Sequence, residues 1–93
     1  MKRVSSPAAR QVKITHPFGV HARTSAKIVE LASRFRSTVL LAVNGRTADA
    51  RSIVAVMLLA ASVGSTVTVE ARGPDAQEAL EAITTLIAGH FDA

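Results

Sequence analysis

The 93-residue chain is long enough for one domain and too short for two of ordinary size. Its residues are 48% hydrophobic, which is enough for a core, and the absence of cysteine excludes disulfides, thiolate metal sites and thiol nucleophiles. The formal net charge of +4 suits acidic proteins, anionic ligands or nucleic acid. Because the basic residues are scattered and Trp and Tyr are absent, the sequence disfavours nucleic-acid binding on stacked aromatics.

The N-terminal residues resemble neither a secretion signal nor a membrane anchor. Residues 1–7 contain basic residues, serines and a proline rather than an apolar run. Residues 53–63 are the most apolar stretch and are far shorter than the roughly 20 residues that cross a bilayer. We therefore expect a cytoplasmic protein without membrane insertion. We also expect residues 1–10 to be a mobile N-terminal extension and residues 11–93 the folded domain.

Hydrophobic periodicity predicts a strand, a helix and a hairpin in the first half of the chain. Residues 11–15 alternate as in a strand, and Pro17 and Gly19 then mark a loop. Residues 22–35 have the apolar stripe of a helix, formed by Ile28, Leu31, Ala32 and Phe35. Residues 38–43 and 46–49 are predicted as strands joined by Asn44-Gly45, because both residues tolerate the positive φ of a tight hairpin.

The second half predicts a helix, a strand and a final helix. Ser52 is placed to cap the first of these, whose inner stripe is expected to be Ile53, Val56, Met57 and Ala60. Residues 66–71 alternate, with Val67 and Val69 directed inward. Asp75 and Glu78 form a capping-box-like pair before a helix that buries Ala79, Leu80, Ile83, Leu86 and Ile87. The order β-α-β-β-α-β-α predicts an α+β fold with helices on one face of a mainly antiparallel sheet.

His21 is the strongest candidate for chemistry because it lies where a loop becomes a helix. The first N–H groups of a helix lack partners within it and its dipole is positive there, so this end binds anions and disfavours the imidazolium form. A neutral imidazole is a nucleophile, and the Arg23 guanidinium, two residues on, can hold a phosphoryl group with two N–H bonds. A solvated polar histidine is the simpler alternative.

The sequence lacks the groups for complete catalysis and has a candidate partner surface instead. It contains no carboxylate pair, Ser-His-Asp set or P-loop glycine run, so a phosphoryl acceptor that relies on partner enzymes fits better than an independent enzyme. Val54 and Leu58 lie off the predicted inner stripe of the second helix and would be exposed to a partner. A fully buried helix remains the alternative.

Two segments together resemble the HPr family, the histidine-containing phosphocarriers of the bacterial phosphoenolpyruvate-dependent phosphotransferase system (PTS). Residues 19–23, Gly-Val-His-Ala-Arg, are similar to the family's Gly-Leu-His-Ala-Arg motif. Residues 51–57 are similar to its second signature, Lys-Ser-Ile with a methionine five residues beyond the serine. Residues 67–73, with Asp75 and Ala79, also match, and the resemblance covers about residues 11–90.

The resemblance implies a fold, a reaction and a set of partners. It implies a four-stranded antiparallel sheet in the order 1-4-2-3 with three helices on one face. It implies a monomer in which His21 accepts phosphate on Nδ1 from phospho-Enzyme I, with help from Arg23, and donates it to an EIIA-type domain in sugar uptake or its regulation. No cofactor or metal is implied. The implied docking surface consists of Ala22, Arg23, Ala26, Lys27, Ile53, Val54 and Met57.

Ser52 matches the serine that an HPr kinase/phosphorylase modifies in some members, where the added negative charge would hinder Enzyme I binding. Thr24 replaces the proline that usually follows the arginine, and Phe18 replaces a small polar residue, so partner choice is open. An HPr-fold module that regulates an enzyme or transcription factor is therefore the second hypothesis. A small basic nucleic-acid-binding domain is the third.

Overall fold

The computed structural model describes residues 8–15, 22–59 and 64–89, and their element order is the predicted β-α-β-β-α-β-α. The strands are β1 (Ala8–Lys13), β2 (Thr38–Val43), β3 (Arg46–Asp49) and β4 (Thr66–Arg72). The helices are α1 (Ala22–Ala32), α2 (Ile53–Leu58) and α3 (Ala76–Ala88). No helix in these three segments is long and apolar enough to cross a membrane.

The four strands form one antiparallel sheet in the predicted order β1-β4-β2-β3. Side chains on one face of a sheet alternate along each strand, so partners in register share a face. Val69 of β4 is paired with Leu41 of β2, which is paired in turn with Ala48 of β3, and all three are buried. This row and its neighbours form the sheet side of the core, which α1, α2 and α3 complete.

β1 begins three residues earlier than the strand predicted at residues 11–15. Ala8 pairs with Ala71 and Lys13 with Thr66, because the seven-residue β4 offers an edge long enough to pair the whole of β1. Ile14, just after the strand, is fully buried and donates its N–H to the Ser65 carbonyl at 2.8 Å. Residues 8–10 thus belong to the sheet, whereas residues 1–7 lie outside the described residues, and their mobility stays a prediction.

The hairpin between β2 and β3 has the predicted bounds. Asn44 and Gly45 have φ angles of 51° and 80°, which is the pair of positive values that a two-residue hairpin turn requires. Val39, Leu41 and Val43 are buried, so β2 alternates between core and solvent. The hairpin fixes the position of the residues after β3, where α2 begins.

α1 begins at the predicted residue and ends earlier, at Ala32 rather than near Phe35. The next residues form a turn in which Phe35 donates its N–H to the Ala32 carbonyl at 3.2 Å. Ile28 and Ala32 are fully buried, and Leu31 and Phe35 pack partly buried against the core. The predicted stripe therefore faces the core although its last member lies beyond the helix.

The inner stripe predicted for α2 was partly wrong. Val56 is fully buried, but Ile53 and Met57 are 39% and 43% exposed, and Leu59, just after the helix, is buried instead. Ala60 lies outside the described residues. The helix is only six residues long, so it turns one narrow face to the core and leaves most of its circumference in solvent.

α3 buries the five predicted residues, but its predicted cap was wrong. The Asp75 side chain makes no capping hydrogen bond within the helix. Its carboxylate instead accepts the backbone N–H groups of Arg36 at 3.0 Å and Ser37 at 2.9 Å, which belong to the α1–β2 connection. These distant N–H groups compete for the same carboxylate oxygens, so the local capping pattern does not form.

Candidate functional site

The start of α1 places Arg23 in solvent. Ala22, the first helical residue, follows His21 in the sequence, and His21 itself lies outside the described residues, as do Phe18 and Gly19. Arg23 and Ala26 are exposed and Lys27 is half-buried. The N–H groups of this first turn have no acceptor within the helix, so they and the guanidinium form an anion-attracting surface.

Burial of the next two residues fixes the rotation of this turn. Thr24 is 2% exposed and Ser25 is fully buried, so the opposite side of the first turn, which carries Arg23, must face solvent. Thr24, where the family usually has proline, packs inside the protein rather than at the surface. The exposure of Arg23 therefore follows from the packing of its two neighbours in the core.

Ser52 is the N-cap of α2, as predicted. Its backbone is extended, with φ −106° and ψ 108°, and its Oγ accepts the N–H of Ala55 at 3.2 Å. The residue is exposed, so the hydroxyl is accessible while it caps the helix. A phosphoryl group on this oxygen would put negative charge beside the exposed residues that follow it.

Arg51 ties the start of α2 to the rest of the protein. Its Nη2 donates to the Phe35 carbonyl at 2.6 Å and to the Ser37 carbonyl at 3.3 Å, while its backbone N–H donates to Asp49 Oδ1 at 2.9 Å. Both carbonyls belong to the connection that follows α1. The guanidinium thus holds the beginning of α2 against the connection that leaves the end of α1.

α2 presents an apolar surface to solvent. Ile53, Val54, Met57 and Leu58 are 39%, 63%, 43% and 67% exposed, so the alternative of a fully buried helix is wrong. α1 packs against α2, so the two helices that carry the predicted docking residues are neighbours. An exposed aliphatic group of this size beside a cationic helix start is typical of a protein-binding surface.

Several long-range contacts were not predicted. Arg10 of β1 pairs with Glu81 of α3 at 3.0 Å, and the Ser37–Asp75 pair joins two connections. Gly73, with φ 144°, closes on Ser37, since a Cβ there would lie 2.6 Å from Ser37 Oγ. In the sequence only the Gly73-Pro74 dipeptide marks a turn here, because residues so far apart leave no local pattern.

The described segments contain no cluster of three acidic or histidine side chains suited to a metal ion. Their chemistry resides in the exposed guanidinium of Arg23, the accessible hydroxyl of Ser52 and the apolar face of α2. Such a surface can dock a protein and attract a phosphoryl group.

Comparison with known proteins identifies the family. Residues 8–89 match the model described as PTS HPr component phosphorylation site. The phosphocarrier protein HPr of Cupriavidus necator is 52% identical over 82 residues, which cover 88% of this chain and 92% of that protein.

Two solved structures share the fold. The phosphocarrier protein HPr of Bacillus anthracis is 34% identical, with a TM-score of 0.85 over 89% of this chain and 99% of that one. Crh, the catabolite repression HPr of Bacillus subtilis, is 39% identical, with a TM-score of 0.65 over 86% of this chain and 95% of that one. The chain belongs to the HPr family of phosphocarrier proteins of the phosphotransferase system.

Proposed function

We propose that this protein accepts a phosphoryl group on His21 from phospho-Enzyme I and donates it to an EIIA-type domain in the cytoplasm. In each step the bond from phosphorus to the donor breaks as the bond to the acceptor forms, so the carrier is regenerated. The carrier forms a phosphohistidine intermediate and needs its partner enzymes for transfer, since the roles proposed for its own side chains are those of an acceptor, His21, and a positioning cation, Arg23.

The observation that carries this proposal is the exposure of Arg23 in the first turn of α1, which begins at the residue after His21. A guanidinium can form two parallel hydrogen bonds with phosphoryl oxygens. The helix-terminus field adds about 0.3–1 kcal/mol per charge, up to ~2 when partly buried. These terms orient the group and are small enough for it to leave again.

The apolar face of α2 supports docking of both partners at one surface. The exposed residues of the predicted surface are Ala22, Arg23, Ala26, Ile53, Val54 and Met57, and Lys27 is half-buried. One surface for donor and acceptor suits a carrier that works as a monomer, since each partner must reach the same histidine in turn. Ser52, at the edge of this surface, is the proposed site at which an HPr kinase/phosphorylase would regulate docking.

The test is phosphorylation of the intact protein by Enzyme I and phosphoenolpyruvate. Mass spectrometry should show one acid-labile phosphoryl group on the wild type and on His16→Ala, a matched histidine variant, and none on His21→Ala. Phosphorylation of His21→Ala to the wild-type extent would overturn the assignment of the acceptor.

Similarity to Crh favours a second candidate, in which the protein regulates an enzyme or transcription factor through the same fold. The two candidates predict different partners in a pull-down from the native host. Recovery of phosphotransferase components alone counts against the regulatory role, and a partner retained by His21→Ala counts for it.

A further inference from the structure

A cleft of about 320 Å³ lies between α1 and α3, apart from the exposed face of α2. α1 lines it with Lys27 and Leu31, which are four residues apart and so lie on one helix face, and Arg34 of the turn after α1 also lines it. α3 lines it with Ala82 and Leu86. The volume lies at the lower end of the range for sites that bind small molecules or anchor side chains.

The floor of this cleft is apolar and incompletely covered. Leu86 is 7% exposed and forms its buried wall, whereas Leu31 and Ala82 are only half-buried. Each Å² of apolar surface that a ligand removes from water contributes about 25 cal/mol. Side chains that filled the cleft would therefore be stabilised by burial against these three residues.

The charges around the cleft come from α1 and the turn after it, and they leave it positive. Lys27 and Arg34 each carry a positive charge, and the Glu30 carboxylate between them is 4.0 Å from the Arg34 guanidinium. The α3 lining contributes no charge. Arg23, one turn before Lys27, extends the positive edge toward the start of α1. A ligand with carboxylates outside an apolar centre would complement this arrangement.

We propose that the α1–α3 cleft docks an acidic amphipathic helix of a partner protein. Lys27 lies in α1 and Arg34 in the turn just after it, so the two cations are seven residues apart along the α1 side of the cleft. Two apolar side chains one turn apart on the partner would enter the cleft, and a carboxylate outside each would meet Lys27 and Arg34. The cleft shares Lys27 with the predicted docking surface but contains none of the exposed residues of α2, and its occupation does not require phosphoryl transfer.

The probe is a lactam-stapled helical peptide that carries two leucines one turn apart. Each leucine is flanked by a glutamate on the side away from the other leucine. A matched peptide has lysine in place of both glutamates. Titration of the ¹⁵N-labelled full chain, followed by amide chemical shifts, should give saturable changes at Leu31, Ala82 and Leu86 with the glutamate peptide. The lysine peptide should bind about fivefold more weakly, because it loses both exposed ion pairs and places like charges beside Lys27 and Arg34.

Two variants locate the site. Arg34→Glu should weaken the glutamate peptide about fivefold, whereas Arg36→Glu, the same charge change at an exposed residue outside the cleft lining, should weaken it less than about twofold. Ala82→Leu adds side chain to the floor and should reduce binding of both peptides while the spectrum stays dispersed.

Three results would overturn the proposal. These are shift changes confined to α2, equal affinity for the two peptides, or equal losses in Arg34→Glu and Arg36→Glu. A titration without saturable shifts at millimolar peptide would overturn it as well.

Discussion

Asp75 and Ser37, 38 positions apart, exchange hydrogen bonds. The Ser37 hydroxyl donates to Asp75 Oδ1 at 2.5 Å and accepts the backbone N–H of Asp75 at 3.1 Å. The bond from Ser37, followed by that from the Arg36 N–H, holds the pKa of the Asp75 carboxyl below its ordinary value. The pair fastens the connection after α1 to the residue before α3, and Arg51 binds the same connection from the side of α2.

Asp75→Asn should lower the free energy of unfolding at neutral pH. It should also make that free energy depend less on pH in the acid range. Because the folded-state pKa of Asp75 is lowered, its stabilisation is present above the ordinary value of 3.8 and is lost as the pH falls through the folded value. Urea unfolding from neutral pH down to pH 2 should therefore show the difference between wild type and variant shrinking below about pH 3.8.

Glu78→Gln is the matched control, since it removes a carboxylate from the exposed first turn of α3. It should leave the acid dependence close to that of the wild type. A constant difference between wild type and Asp75→Asn across the whole pH range would contradict the role given to this carboxylate.

Arg51→Ala should loosen α2 because it removes the guanidinium that binds the Phe35 and Ser37 carbonyls. We expect a loss of about 1–2 kcal/mol in urea unfolding, since hydrogen bonds from charged groups contribute most and these are partly exposed. Hydrogen exchange of the α2 amides should quicken more than that of α3. Arg36→Ala is the control, since the bond described for Arg36 comes from its backbone N–H, and it should change neither the stability nor the exchange of α2. Equal effects of the two variants would refute the anchoring role of Arg51.

Substitutions of Ser52 can distinguish its role as a helix cap from its role in docking. Ser52→Asp and Ser52→Asn both supply a good N-cap, and each should unfold within about 0.5 kcal/mol of the wild type, whereas Ser52→Ala should lose about 1 kcal/mol. Only Ser52→Asp adds negative charge beside the exposed face of α2, so it alone should slow phosphorylation by Enzyme I in an initial-rate assay. Similar rates for the aspartate and asparagine variants would show that charge at Ser52 does not govern docking.

Substitutions on the exposed and the buried side of α2 should have opposite effects on stability and on the rate of phosphorylation. Val54→Ser removes an aliphatic group that is 63% exposed, so it should cost less than about 0.5 kcal/mol in stability and reduce the rate of phosphorylation by Enzyme I. Val56→Ala empties a fully buried position and should cost about 2 kcal/mol while the rate of the folded protein stays near that of the wild type. An unchanged rate for Val54→Ser would exclude this residue from the docking surface.

Local patterns in the sequence predicted most of the fold. Positive φ at Asn44-Gly45 fixed the hairpin, and the stripe of α3 identified its buried residues, because in both the signal lies within a few neighbouring positions. The family resemblance supplied the strand order, which periodicity cannot give. The capping of α2 by Ser52 was also local and was confirmed.

What the sequence did not predict depends on residues far apart. The Asp75 carboxylate had a local capping role available, but two N–H groups of the α1–β2 connection bind it instead. Met57 fits an inner stripe by spacing, yet a helix of six residues has room for only one buried face, which Val56 takes. Such outcomes are decided by tertiary packing. The assignments of His21, Arg23 and the docking surface stay predictions.

Onward transfer tests the carrier role most directly. Protein phosphorylated by Enzyme I is freed of donor and phosphoenolpyruvate and then mixed with an EIIA-type domain from the same organism. The phosphoryl group should leave His21 and appear on EIIA mole for mole, at a rate far above spontaneous hydrolysis, and Arg23→Ala should slow the transfer. Phosphate that stays on the protein, or is lost only to water while EIIA remains unmodified, would contradict phosphoryl carriage through His21.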